Sequence, residues 1–134
     1  MSKRFIDLRA GDGTRVVVNT SYVTQVTPTH GTDFSDGLEV VFITFGEGAA
    51  AKISVPASKS GAALHAIKDS DGKFIDVKLV SGERVYLNTD YVTHLLPTYG
   101  ADYSDGATVS IFGTSLEVPA SGVPAILTAI GIAS

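Results

Sequence analysis

Asn19-Thr20-Ser21-Tyr22-Val23-Thr24, followed by Pro28-Thr29 and by Asp33-Phe34-Ser35-Asp36-Gly37, is a stretch this chain uses twice. About 69 residues later it returns as Asn88-Thr89-Asp90-Tyr91-Val92-Thr93, Pro97-Thr98 and Asp102-Tyr103-Ser104-Asp105-Gly106. The match runs without a gap from Phe5-Ile6-Asp7 against Phe74-Ile75-Asp76 to Val40 against Val109, with roughly half the positions identical. That is the pattern of a tandem duplication, and it predicts two similar units joined in one chain.

Outward from this stretch, each copy reads as short strands. Phe5-Ile6-Asp7-Leu8 alternates apolar and polar residues, Gly11-Asp12-Gly13 offers hairpin-turn chemistry, and Arg15 to Asn19 is the returning strand. Thr20-Ser21 makes a polar corner, and Tyr22 to Thr27 resumes the strand pattern until Pro28 removes a ladder donor. Leu38 to Phe45 is almost continuously apolar, which predicts a central strand buried on both faces. A turn at Gly46-Glu47-Gly48, a strand from Ala51 to Val55 and a short helix after Pro56 complete the unit. Ser58 or Ser60 is the expected cap of that helix, with Leu64 and Ile67 on its packing side.

The second copy repeats the order: Phe74 to Val80, Arg84 to Asn88, Tyr91 to Leu96, Thr108 to Phe112 and Ser115 to Val118. Ser81-Gly82-Glu83 and Gly113-Thr114 are its turns, and a helix from Pro124 to about Ile130 follows, packing through Ile126, Leu127 and Ile130. The fold expected is therefore mostly β, a duplicated five-stranded antiparallel unit with one short C-terminal helix each, related by a pseudo-two-fold. Residues 1–68 form the first repeat, 69–73 a charged linker and 74–134 the second repeat. A unit of this size is marginal alone, so the two are expected to pack together as one globular body.

Composition bounds the function. Of the 134 residues 44% are hydrophobic and 18% charged, with a net charge of −4, no cysteine and no basic cluster. This argues against nucleic-acid binding, which needs a basic face, and against a disulfide framework or a thiolate metal site. Met1-Ser2-Lys3-Arg4 runs directly into a patterned strand, and no apolar run approaches membrane-spanning length. The expectation is a soluble protein, cytoplasmic or virion-associated, with no membrane partner. Low charge also suggests a surface partly covered by another protein or by further copies of the chain.

Chemistry-bearing residues are few. Asp33, Asp36, Asp102 and Asp105 bring several oxygens into the repeated loop, but without EF-hand spacing, and turns are the simpler account. Phe34 and Tyr103 occupy matching loop positions, Tyr22 and Tyr91 follow the corner, and His30 aligns with Tyr99; these six are the candidate partner- or ligand-contact residues. His30, His65 and His94 have no metal-ligand spacing. No nucleophile elbow, phosphate loop or dinucleotide fingerprint is present, so no enzyme and no cofactor is expected.

Ile75-x-Val77, Gly82, Val85-x-Leu87-Asn88, Val92 and Leu95 give the second copy a pattern that resembles the small FlbD-like flagellar proteins. The first copy fits it at Ile6, Leu8, Gly13, Val16, Val18-Asn19, Val23 and Val26. The resemblance covers about a third of each repeat and implies a β-rich, non-enzymatic module; any strand-turn-strand-corner-strand module uses these residue types. The repeated Asp-aromatic-Ser-Asp-Gly loop has no place in that pattern, and no motility role is carried over. The function expected is a structural or interaction protein, a subunit or accessory of a larger assembly such as a phage virion. The alternative is a soluble small-ligand binder, for a metabolite or nucleotide, with a cleft between the repeats lined by Tyr22 and Tyr91.

Overall fold

The structure, a computed structural model, describes residues 4–43, 51–71, 73–111 and 114–132. Strands β1 (Phe5–Arg9) and β2 (Arg15–Asn19) form an antiparallel hairpin with Phe5 opposite Asn19 and Arg9 opposite Arg15. The alternation in β1 buries Ile6 and Leu8 and leaves Phe5, Asp7 and Arg9 outside. At the hairpin turn Gly13 has φ +91°, and Asp12 accepts from the Thr14 amide at 2.9 Å. The corner after β2 explains why Asn-Thr recurs. Asn19 Oδ1 accepts from the Ser21 amide at 2.9 Å and so caps a 3-10 turn over Thr20–Tyr22. Thr20 reaches back to Arg4 O with its amide at 2.7 Å and its hydroxyl at 2.8 Å. Asn88 and Thr89 repeat both devices, on the Asp90 amide at 3.0 Å and on Lys73 O at 2.8 and 3.1 Å.

A meander follows, β3 (Val23–Pro28), β4 (Leu38–Phe42) and β5 (Ala51–Val55), then helix α1 (Ala57–Lys68). The same order recurs as β6 (Phe74–Lys78), β7 (Arg84–Asn88), a 3-10 turn (Thr89–Tyr91), β8 (Val92–Pro97), β9 (Ala107–Ile111), β10 (Thr114–Val118), a 3-10 turn (Ala120–Gly122) and α2 (Val123–Ala129). The turns expected at Gly46-Glu47-Gly48 and at Gly113, and the strand ends at Thr44-Phe45 and Phe112, lie outside the described residues.

The strands do not stay within two separate five-stranded units. Three antiparallel sheets form: β1-β2, β10-β9-β8, and a five-stranded sheet ordered β5-β4-β3-β7-β6 that takes its strands from both halves. The centre of that sheet is β3, not the more apolar β4. Both strands are interior, β4 between β5 and β3 and β3 between β4 and β7, but five of the six residues of β3 are buried whereas β4 leaves Val41 and Phe42 half-exposed. A pseudo-two-fold would require β8 to pair with β2 as β3 pairs with β7. Among the described residues β8 pairs only with β9 and β2 only with β1, so the two-fold does not describe the strand order.

Two apolar clusters result. The first holds Ile6, Leu8, Val26, Leu38 and Ile67, together with Tyr86 from the other half. The second holds Val77, Val85, Leu87, Val109 and Ile126. Helix α1 buries Ser60, Ala63 and Ile67, with Leu64 only partly covered. Its N-cap is Pro56 without a side-chain bond; Ser60 Oγ donates to Ala57 O at 2.9 Å instead of capping, and Ser58 is exposed. Helix α2 buries Val123 and Ile126, leaving Leu127 and Ile130 half-exposed.

Candidate interaction surface

The seam between the halves is built by β3 and β7, with Gln25 opposite Leu87 and Val26 opposite Tyr86. Phe34 folds under its loop and is 5% exposed. Its ring meets the Tyr86 ring edge-on at 5.6 Å. The Arg84 guanidinium lies over the other part of this cluster, 5.7 Å from the Phe34 centroid, and is held by Asp76 at 2.5 Å, which raises its pKa further. Beyond the β3–β7 ladder itself, the bonds that cross the seam include Arg84 N to Thr32 O at 2.8 Å, Asn88 Nδ2 to Val23 O at 2.8 Å, and the Tyr91 hydroxyl to Ser21 O. Burial, and then the neighbouring Tyr22 and Asp90, push the Tyr91 phenol up from its ordinary value.

The corresponding surfaces on the two outer strands are bare. Val17 of β2 aligns with Tyr86 and is 59% exposed, against 4% for Tyr86. In β8 the residues aligned with buried Thr24 and Gln25 are Thr93 and His94, both exposed, and Leu96 is 55% exposed. Beside β8 and α2 lies an open groove of about 540 Å³, lined among others by Val92, Leu95, Tyr103, Leu127 and Ile130. No family model, curated relative or solved structure matches this chain.

The six candidate contact residues are therefore scattered. Phe34, named as a contact candidate, is interior: Tyr86 of the other half gives its ring an apolar partner. Tyr103, its counterpart, is half-buried in the groove wall, its hydroxyl donating to Leu95 O at 3.3 Å. Tyr22 is 39% exposed, whereas Tyr91 is committed to the seam. His30 is exposed, and Tyr99, 70% exposed, shares a shallow recess with Val80. At the seam Tyr86 packs into the first half's core, and the groove is lined by residues of the second half.

The acidic loops act as turns. Asp33 Oδ1 accepts from the Ser35 hydroxyl at 2.6 Å and its amide at 3.0 Å, and Asp102 Oδ1 from the Ser104 amide at 3.0 Å. The serine hydroxyl and then the amide hold each carboxyl below the usual range. Asp36 and Asp105 precede Gly37 and Gly106, whose φ values of +111° and +104° close the loop. No group of three His, Asp or Glu placed to hold an ion occurs among the described residues. His65 is exposed, and His94 sits 3.1 Å from Thr93 Oγ1 and 3.3 Å from Ser110 Oγ. Sequence reading missed Tyr86, Arg84, Asn88 and Leu95. The one signal for Tyr86 was that the copies diverge there, Val17 against a ring.

Proposed function

We propose that this protein works by contact rather than by catalysis, as a structural or interaction subunit of a larger assembly such as a phage particle. The observation that carries this reading is the uncovered apolar surface of the second half. Its groove offers aliphatic side chains with two threonines, the Tyr103 ring and one imidazole, and no carboxylate or lysine among its lining, which suits burying apolar area. Leu96, on β8 beside it, is exposed as well. The test is the solution mass of the purified full chain, with capture of bound protein from its source: association supports the reading, and a strict monomer with no partner contradicts it.

The same proposal takes the chain to be one module used twice, 1–68 and 74–134, joined by 69–73. Its support is that individual bonds recur at corresponding places. Gly11 N donates to Ser54 O at 3.1 Å and Val80 N to Glu117 O at 2.9 Å, tying each hairpin tip to the last strand of its own meander. Arg15 with Asp7 at 2.8 Å and Arg84 with Asp76 at 2.5 Å brace the two hairpins alike.

A small-ligand reading has one observation in its favour: the groove's volume lies in the range that holds metabolites. Native mass spectrometry of freshly purified protein distinguishes the two. A retained small molecule favours ligand binding, and a bare chain that associates favours contact.

A further inference from the structure

The seam inside the chain is a template for a contact that the chain leaves unmade. It joins the meander of one half, at β3, to the hairpin of the other, at β7. The counterpart of β3 is β8 and the counterpart of β7 is β2, and neither has a strand on that side among the described residues. The molecule thus ends in the two surfaces that its own middle brings together. We infer that a second copy of this chain docks head to tail, β2 of one against β8 of the next, deepening the contact reading above by naming its partner.

The offset of the repeat fixes the register. Gln25 opposite Leu87 becomes His94 opposite Val18, and Val26 opposite Tyr86 becomes Leu95 opposite Val17. Val17 then enters the groove in front of Tyr103 as Tyr86 stands before Phe34, and Arg15 approaches Tyr103 as Arg84 approaches Phe34. Asn19 takes the place of Asn88, whose amide bonds Val23 O; the acceptor in the next copy is Val92 O. The burial contrast has the direction this docking requires. Strand β3 is buried at five of six positions and β8 at none; β7 is buried at four of five and β2 at one.

The composition of the free edges points the same way. Soluble proteins blunt an exposed edge with lysine, proline or inward charge. Neither strand carries lysine; Pro97 of β8 has a counterpart, Pro28, at the end of β3, which pairs nonetheless. Where β3 has Thr27, β8 has Leu96, so the uncovered strand is the more apolar one. Because the contact joins two different surfaces, each added copy presents a fresh edge, and the product is a ring if the rotation closes or a fibre if it does not. The copies lack the tether that joins the two halves, so association is concentration-dependent.

The experiment is light scattering on the full chain over a wide concentration range, with Val17→Glu and His94→Glu. Both positions are exposed in the single chain, so each variant keeps its fold, checked by circular dichroism. The expected result is a wild-type mass rising above 13.9 kDa with concentration, each variant alone remaining a single chain, and an equimolar mixture stopping at twice that mass. The mixture has one intact β2–β8 contact and one spoiled at both strands. A wild-type chain that stays monomeric overturns the docking but leaves the contact function to its test with other proteins. Association that survives either substitution overturns the head-to-tail surfaces while leaving self-assembly in place.

Discussion

Tyr86 in the second half stands edge-on to Phe34 in the first, ring centroids 5.6 Å apart and planes at 83°. Both rings are buried, and Lys68 Nζ lies 5.5 Å from the Tyr86 centroid on top of the pair. This contact puts a second-half residue into the first half's core, so truncating it should act as a core deletion. Tyr86→Ala is expected to cost about 3 to 5 kcal/mol, the range for losing a buried aromatic. Val17→Ala, at the aligned but exposed position, is expected within about 0.5 kcal/mol in dilute solution. Urea unfolding of the two variants measures the difference.

Asn88 combines a helical-turn cap with a seam bond. It is fully buried, accepting from the Asp90 amide at 3.0 Å and donating to Val23 O at 2.8 Å. Asn88→Ala removes both bonds and strands the buried Val23 carbonyl, for an expected loss of about 2 to 3 kcal/mol. Asn19→Ala removes the cap alone, with an expected loss of about 1 kcal/mol. Chemical denaturation of dilute samples checks the ratio.

The repeated loop closes on a glycine for which no other residue fits. A Cβ on Gly37 would sit 2.6 Å from Val55 O, and φ is +111°. Gly37→Ala is expected to cost about 3 kcal/mol, combining backbone strain with displacement of β5. Gly31→Ala, at φ +71° with open space around it, is expected to cost about 1 kcal/mol. Thermal melts of the pair separate the clash from the strain.

Alkaline pH should loosen the seam through Tyr91. Its phenol pKa is raised by burial, so the folded state holds the proton more tightly than the unfolded chain. The stability this contributes is fully present below the unfolded phenol value of about 10 and is lost as pH rises from there through the folded value. Ionisation also removes the proton that Tyr91 donates to Ser21 O. Tm measured against pH should fall on the alkaline side for the wild type and less steeply for Tyr91→Phe.

The strands were legible in the sequence because their signals are local. The alternation in Phe5–Arg9, the turn at Gly13 and the Asn-Thr corner each act within a few residues, and the described strands lie within about two residues of their patterns, β3 and β8 running on through Pro28 and Pro97 where a stop was expected. What the sequence did not reveal was which strands meet. The apolar run from Leu38 to Phe45 predicted a central strand, and β4 is interior, but the middle place went to Val23–Pro28, whose neighbour β7 is about 60 residues away in sequence. Nothing near Phe34 in sequence accounts for its burial; its cover, Tyr86, comes from the other half. The groove lined by Leu95 and Tyr103 was invisible for the converse reason: it exists where a strand in the matching position of the first half is present and here is not.

Hydrogen exchange followed strand by strand tests most directly whether the halves are joined at β3 and β7 while β8 and β2 stand uncovered. In dilute solution the amides of β3 and β7 should be among the slowest to exchange, and the amides of β8 and β2 that face away from their hairpin partners should exchange fast; raising the concentration should slow that second set selectively. Equal protection of β3 and β8 in dilute solution would contradict the account.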